Sequence, residues 1–156
     1  GNLAAVLCQQ VRDGTVDGPP PRAQLLIYPS TDFRRLDASH SEFSRGFMLD
    51  AESIDHYRDT YAAPDILDPA ASPLLHTDLS SLPPAVVVPA DFDPLRDEGE
   101  RYAQALVMAG TEVSVVPGSG LVHGFVQMEA LVPAADRANA ELVTAISSLL
   151  HRPPPA

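Results

Sequence analysis

The sequence has little that could cross-link the chain or hold it in a membrane. Cys8 is the single cysteine among 156 residues, so no disulfide can form within the chain. No run of 18 or more apolar residues is present, so we expect no membrane-spanning helix. Nothing resembles a signal peptide, and with the single cysteine this favours a cytoplasmic location.

Basic residues are also scarce. Ten Lys and Arg side chains stand against 21 Asp and Glu, which gives a formal net charge of -11 at pH 7. The basic residues are scattered, and phosphate binding needs them clustered, so we expect neither nucleic acid nor an anionic membrane surface as a partner. Metal ligands at recognisable spacing are missing too, and the sequence predicts no metal site. This concerns His40, His56, His76, His151 and Cys8.

What the chain does contain is an alternation of helical and strand patterns. Apolar residues make up 45% of the chain, enough for one core, so we expect one domain or one piece of a domain. Apolar runs at 23–28 and 85–91 are typical of strands buried on both faces, and 111–116 is predicted to be a third strand. Four helical segments surround them, and the first has Leu3, Val6, Leu7 and Val11 in register. This order predicts an α/β fold, a parallel sheet with helices on both faces.

Ligands of parallel sheets bind beyond the carboxyl ends of the strands. Asp91-Phe92-Asp93 follows the second run and 117–123, which ends in His123, follows the third. An Asp and a His brought together there can orient an imidazole as a general base. On the residues alone, two other readings stay open. An Asp before Pro also forms turns, and a loop His also lies free on the surface.

Two motifs in this order resemble a known family. ADFDPLRDEGE, then an amphipathic helix, a strand and GLVHGF, resemble the hormone-sensitive-lipase-like α/β-hydrolases, the bacterial carboxylesterases. LLIYPSTD, GFMLD, DPAASPLL and DLSSLPPAVVV are similar to the later half of that family. The resemblance covers residues 1 to about 150 and implies the C-terminal part of a single α/β-hydrolase domain. Within it, residues about 33–64 would be a cap-like pocket segment and 151–156 a tail.

The resemblance also implies roles. Asp93 would be the acid and His123 the base of a Ser-Asp-His triad that hydrolyses short to medium acyl esters without a cofactor. The substrate pocket would be lined by Phe43, Phe47, Met48, Leu49 and Phe125. As a bare pattern, the same apolar cluster could be ordinary core. Asp97 and Glu98 are expected to be favourable charges at a helix N-terminus.

The resemblance places the start of the chain just after the nucleophile elbow. GNLA follows the G-x-S-x-G turn of that family, so the serine would stand three residues before Gly1, and the chain alone would be inactive. The implied partners are a small-molecule ester, the missing N-terminal half of the same domain and a second copy in a homodimer. The alternative is a non-catalytic fragment or pseudoenzyme that acts through protein association.

Overall fold

The computed structural model describes residues 1–62 and 65–151, except for the side chain of Ala62. Five helices and five strands follow one another in these ranges. They are α1 (Asn2–Arg12), β1 (Gln24–Ile27), α2 (Ala38–Glu42), α3 (Ala51–Tyr57), β2 (Ala85–Val88), β3 (Ala90–Phe92), α4 (Arg96–Met108), β4 (Val113–Val115), β5 (Gly118–Val122) and α5 (Pro133–Leu150). Short helical turns at Arg58–Ala62, Pro73–Leu75 and Phe125–Met128 complete the set. Residues 152–156 of the predicted tail lie outside the described residues, as do residues 63 and 64 of the cap-like segment.

The sheet is parallel and is built in the expected order. β2 lies in the middle, β1 pairs with one of its edges and β4 with the other. The three strands lie within the three strand segments predicted from the sequence, which confirms the predicted parallel sheet. No described helix is long and apolar enough to cross a membrane.

Pro89 divides the second apolar run into two strands. It has no N–H to donate, so the ladder stops at Val88 and resumes at Ala90. Beyond this break β3 pairs in parallel with β5, and the Gly118 N–H donates to the Pro89 carbonyl across 2.7 Å. β5 was not predicted, because Gly118-Ser119-Gly120 is typical of a loop.

Apolar side chains pack against both faces of β2. Its four residues are fully buried, and they alternate between the two faces. On one face Ala85 and Val87 meet α1 and α4. On the other, Val86 and Val88 meet α5. Helices therefore cover both faces, as the alternating pattern predicts.

The buried face of α1 differs from the predicted one. Leu3 is 67% exposed and Leu7 47% exposed, although both were expected on the inner side. Val6 is buried as expected, but beside it the helix buries the smaller or polar side chains of Ala5, Cys8 and Gln9. The reason lies in a buried partner: Gln9 Nε2 donates to the Pro73 carbonyl and to the Tyr102 hydroxyl, which turns this polar face inward.

We expect the centre of β1 to tolerate truncation poorly. Leu26 is fully buried among α1, α4 and β2, so Leu26→Ala should leave a cavity and lower the free energy of unfolding by about 2–5 kcal/mol. The matched control is Leu36→Ala, since Leu36 is 70% exposed and should change stability by less than about 0.5 kcal/mol. Urea unfolding followed by circular dichroism measures both. Equal effects would contradict the position of the core.

Candidate active site

Asp93 and His123 meet at the carboxyl end of the β3–β5 pair. His123 Nδ1 lies 2.7 Å from Asp93 Oδ2. The Asp93 side chain is fully buried, and that of His123 is partly exposed. An ionised carboxylate can only accept, so Nδ1 carries the proton and Nε2 is left as the basic nitrogen. The two residues singled out by their positions after the strands are thus hydrogen-bonded partners.

Strand pairing explains why residues 30 positions apart are neighbours. Ala90 lies opposite Gly118, but Phe92 lies opposite Val122, so β5 holds two more residues than β3 over this stretch. Gly120 has a φ of +72°, a conformation that glycine adopts without strain, and this makes the bulge possible. The bulge takes up two residues of β5, so His123 lies beside Asp93 and not two positions beyond it.

Asp91 stabilises that bulge. Its Oδ2 accepts the Gly120 N–H across 2.7 Å, so the irregular stretch of β5 is tied to β3. No role for Asp91 was predicted from the sequence. The sequence shows only an acidic residue two positions before Asp93 and a glycine three positions before His123. Without the fold, neither residue indicates that the two are hydrogen-bonded.

Asp93 is held by the chain that follows it. Its Oδ1 accepts the Leu95 N–H at 2.8 Å, and its carbonyl accepts the Arg96 N–H at 3.1 Å. One carboxylate oxygen is therefore used by the turn that leads into α4, and the other faces His123. This fixes the orientation of the carboxylate toward the imidazole.

Tyr28 packs on the other side of the imidazole. Its ring centroid lies 4.3 Å from that of His123 and 5.9 Å from that of Phe125. Burial raises the pKa of Tyr28, and the negative charge of Asp93 raises it further. The phenol therefore stays neutral beside the acid–base pair.

The predicted pocket residues separate into two groups. Phe43 and Phe47 form an aromatic cluster with Phe92, with centroid distances of 5.2 to 5.8 Å. Phe92 was not predicted, although it precedes the acid and is 39% exposed.

The remaining three predicted pocket residues differ in burial. Met48 is 72% exposed and Leu49 is half-buried, and the Leu49 N–H donates to the Phe47 carbonyl at 2.9 Å. Phe125 is fully buried in the core below β5, where its ring fills the space left by Gly118. Phe125 is therefore part of the packing, and a pocket role for Met48 and Leu49 stays a prediction.

Glu98 lies in the first turn of α4, as expected for a favourable charge at a helix N-terminus. It is also fully buried, which the sequence did not predict, and its Oε2 is 2.8 Å from His40 Nε2. Its Oε1 accepts the backbone N–H groups of Thr31 and Asp32 at 2.6 and 3.3 Å. Burial raises the pKa of Glu98, and these hydrogen bonds oppose the shift. Asp97 likewise accepts the Ser39 N–H instead of facing only solvent.

One group of described residues has the composition of a metal site. Possible ligand atoms of Asp37, His40 and Glu98 lie within 4.8 Å of one another, an arrangement that their spacing in the sequence did not reveal. Asp37, however, binds the guanidinium of Arg101 across 2.6 Å, and both oxygens of Glu98 accept internal hydrogen bonds. A cation already adjoins this group, so the three residues act as part of an internal ionic network.

The first residue of the chain lies at the same sheet edge. Gly1 is in close contact with Pro29, and a Cβ there would fall 2.6 Å from the Cβ of that proline. Asn2 donates to the Ser30 carbonyl at 2.9 Å, so the start of α1 is tied to the loop after β1. Pro29 follows Tyr28, whose ring contacts His123, and the start of α1 is thereby near the acid–base pair.

A parallel sheet with helices on both faces, and with an Asp and a His at the ends of two paired strands, is typical of the α/β-hydrolase class. The chain belongs to the α/β-hydrolase fold family, whose pattern matches residues 1–127, and within it resembles the hormone-sensitive-lipase-like carboxylesterases. The resemblance stated from the motifs is thereby confirmed.

Curated relatives and solved structures agree with this assignment. The chain is 43% identical to the carboxylic ester hydrolase LipN of Mycobacterium tuberculosis, over 97% of this chain and 42% of that protein. It is 34% identical to an ethyl acetate hydrolase of Pseudomonas putida, over 96% of this chain and 48% of that protein. A thermostable esterase of Pseudomonas putida ECU1011 superimposes with a TM-score of 0.90 at 34% identity, over 97% of this chain and 49% of that one. The chain spans about half the length of these relatives.

We expect the charge on Asp93 to affect the pKa of Tyr28. Asp93→Asn removes a negative charge beside the phenol, so the pKa of Tyr28 should fall toward its ordinary value while burial keeps it raised. Titration of the Tyr28 ring carbon by NMR measures this. Asp59→Asn is the matched control, because Asp59 is exposed and pairs with Arg58, and it should leave the Tyr28 pKa unchanged. A rise in the Tyr28 pKa for Asp93→Asn would contradict the geometry.

Proposed function

We propose that this chain is the C-terminal part of a carboxylic ester hydrolase and carries the acid and base of its Ser-Asp-His triad. The single observation that carries the proposal is the 2.7 Å hydrogen bond between Asp93 and His123 at the carboxyl edge of a parallel sheet. Membership in the α/β-hydrolase fold family supports it, and so do relatives whose names describe ester hydrolysis.

The proposed reaction has two halves. His123 Nε2 takes the proton of a serine hydroxyl while the serine oxygen attacks the ester carbonyl, and Asp93 stabilises the imidazolium that forms. The imidazolium then gives this proton to the alcohol oxygen of the ester. The alcohol departs and an acyl-serine remains. In the second half, Nε2 takes a proton from water as the water oxygen attacks the acyl carbonyl. The bond between the acyl carbon and the serine oxygen then breaks, the imidazolium returns the proton to the serine oxygen, and the carboxylic acid leaves. No metal or redox group is part of this sequence of steps.

The nucleophile is proposed to belong to residues that precede Gly1. Gly1 contacts Pro29, the neighbour of Tyr28, so residues just before it would approach His123 from the side of Tyr28. The open edge of β1, which pairs only with β2 among the described strands, supports a further strand at that position. A strand there that ends in the nucleophile would complete both the sheet and the triad.

The proposed substrates are esters with short to medium acyl chains. The aromatic cluster of Phe43, Phe47 and Phe92 offers an apolar surface beside the strand that bears Asp93. We further propose a homodimer formed through β4, which lies within the third predicted strand, and the last helix, α5. Its support is that β4 is an edge strand and that it forms, with α4, an apolar groove of about 480 Å³. The proposed compartment is the cytoplasm.

The role of His123 can be tested in the longer protein that includes the residues before Gly1. His123→Ala should lower kcat for a short-chain p-nitrophenyl ester by at least about a thousandfold, because the serine loses its general base. The matched control is His76→Ala, which removes a histidine that also pairs with an aspartate, Asp13, at 2.9 Å but on the exposed surface. That control should keep wild-type kcat.

Near-normal kcat in a folded His123→Ala protein would show that His123 is not the base. No hydrolysis by the wild-type longer protein would favour the alternative, a pseudoenzyme that acts through association.

The chain of 156 residues by itself should not hydrolyse esters above background. It supplies the acid and base but no serine at the required position, and losing one member of a triad removes most of its rate enhancement. The assay uses the purified chain and p-nitrophenyl acetate with and without a serine-directed phosphonate. Turnover that the phosphonate inhibits would mean that a residue of this chain is the nucleophile.

A further inference from the structure

We infer that His40 and Glu98 are a positioning pair that holds the aromatic cluster in register with the turn bearing Asp93, and thereby sets the affinity for longer acyl chains. This inference rests on the proposed ester hydrolysis. Neither residue touches the acid–base pair among the contacts described, so the role is positioning and not catalysis.

The pair is buried where three segments meet. The side chains of His40 and Glu98 are 4% and 0% exposed, and their facing atoms are 2.8 Å apart. Glu98 belongs to the first turn of α4, and it also accepts the Thr31 N–H from the loop after β1. One carboxylate therefore joins α2, α4 and that loop. Burying a polar side chain such as that of Glu98 costs free energy unless its hydrogen-bond partners stay in place. The pair therefore holds all three segments in fixed positions.

A second contact joins α2 directly to the turn of the acid. The hydroxyl of Ser39 donates to the Pro94 carbonyl at 2.7 Å, and its N–H donates to Asp97 at 2.9 Å. Pro94 is the residue after Asp93. The two neighbouring residues Ser39 and His40 thus hold α2 against the chain that immediately follows the acid.

α2 ends where the aromatic cluster begins. Its last residue is Glu42, and Phe43 is the cap that packs edge-on against Phe92 at 5.8 Å. Arg96 adds to this link, because its guanidinium lies 5.0 Å from the Phe43 ring centroid. A shift of α2 would therefore separate Phe43 from Phe92 while Phe92 stays in its strand.

The hydrogen bonding identifies a conservative replacement. Glu98 Oε1 must accept two N–H groups, whereas one proton is shared between Oε2 and His40 Nε2. A glutamine can reproduce this pattern, with its carbonyl facing Thr31 and Asp32 and its amide donating to His40. Glu98→Gln should therefore retain the positioning that Glu98→Ala removes.

The kinetic test compares p-nitrophenyl hexanoate with p-nitrophenyl acetate in the longer protein. His40→Ala and Glu98→Ala should raise KM for the hexanoate about tenfold and leave KM for the acetate within about twofold, because only the longer chain reaches the aromatic cluster. For both esters kcat should stay within about threefold of wild type, and Glu98→Gln should restore the hexanoate KM. The matched controls are His76→Ala, at a half-buried histidine paired with Asp13, and Glu100→Ala, at an exposed glutamate of α4. Both should match wild type.

A second readout does not depend on activity. Stacked and edge-on rings shift one another's NMR resonances, so 13C-labelled phenylalanine reports on Phe43, Phe47 and Phe92 directly. His40→Ala should move the Phe43 and Phe92 signals toward values of unpaired rings, and His76→Ala should not. If the wild type hydrolyses neither ester, the proposed function fails and these spectra decide the positioning role. A folded His40→Ala protein with a lower Tm but unchanged ring signals would overturn the inference, as would an unchanged ratio of the two KM values.

Discussion

The arrangement of the site depends on how β3 and β5 pair. A regular parallel register would place Gly120, not Val122, opposite Phe92, and His123 would then lie beyond the reach of Asp93. The bulge at Gly120 corrects this offset, and the Asp91 carboxylate secures it. β3 and β5 extend the central strands beyond Pro89. The packing of α1, α4 and α5 on the central strands therefore also supports the position of the acid–base pair.

Much of the fold can be read from local composition. Strands buried on both faces leave continuous apolar runs, and the cap at Asp50 is a polar side chain that accepts the Ser53 N–H. These signals are properties of neighbouring residues, so a single sequence contains them. β5 and the inward face of α1 are different, because a glycine-rich strand and a buried glutamine are stable only through partners far along the chain. Information of that kind does not lie in a local pattern.

The site divides in the same way. Asp93 and His123 could be predicted because each lies shortly after a predicted strand, β2 and β4 respectively, and parallel strands bring such ends together. The motifs around them then supplied the family. Glu98 could not be predicted as a buried group, since an acidic residue in the first turn of a helix is ordinarily solvated and favourable there. Only the approach of α2, a helix of five residues without a clear sequence signal, converts it into a buried hydrogen-bond acceptor.

The packing of α1 has a practical consequence for chemical labelling. Cys8 is in the core, and burial raises the pKa of its thiol, so little thiolate is present or accessible to an alkylating reagent. A cysteine introduced at an exposed site such as Met48 would then be the one reactive thiol of the folded chain. Fluorescent or spin labels could be attached there without first replacing Cys8. Reaction of Cys8 with the reagent would then report when the core opens.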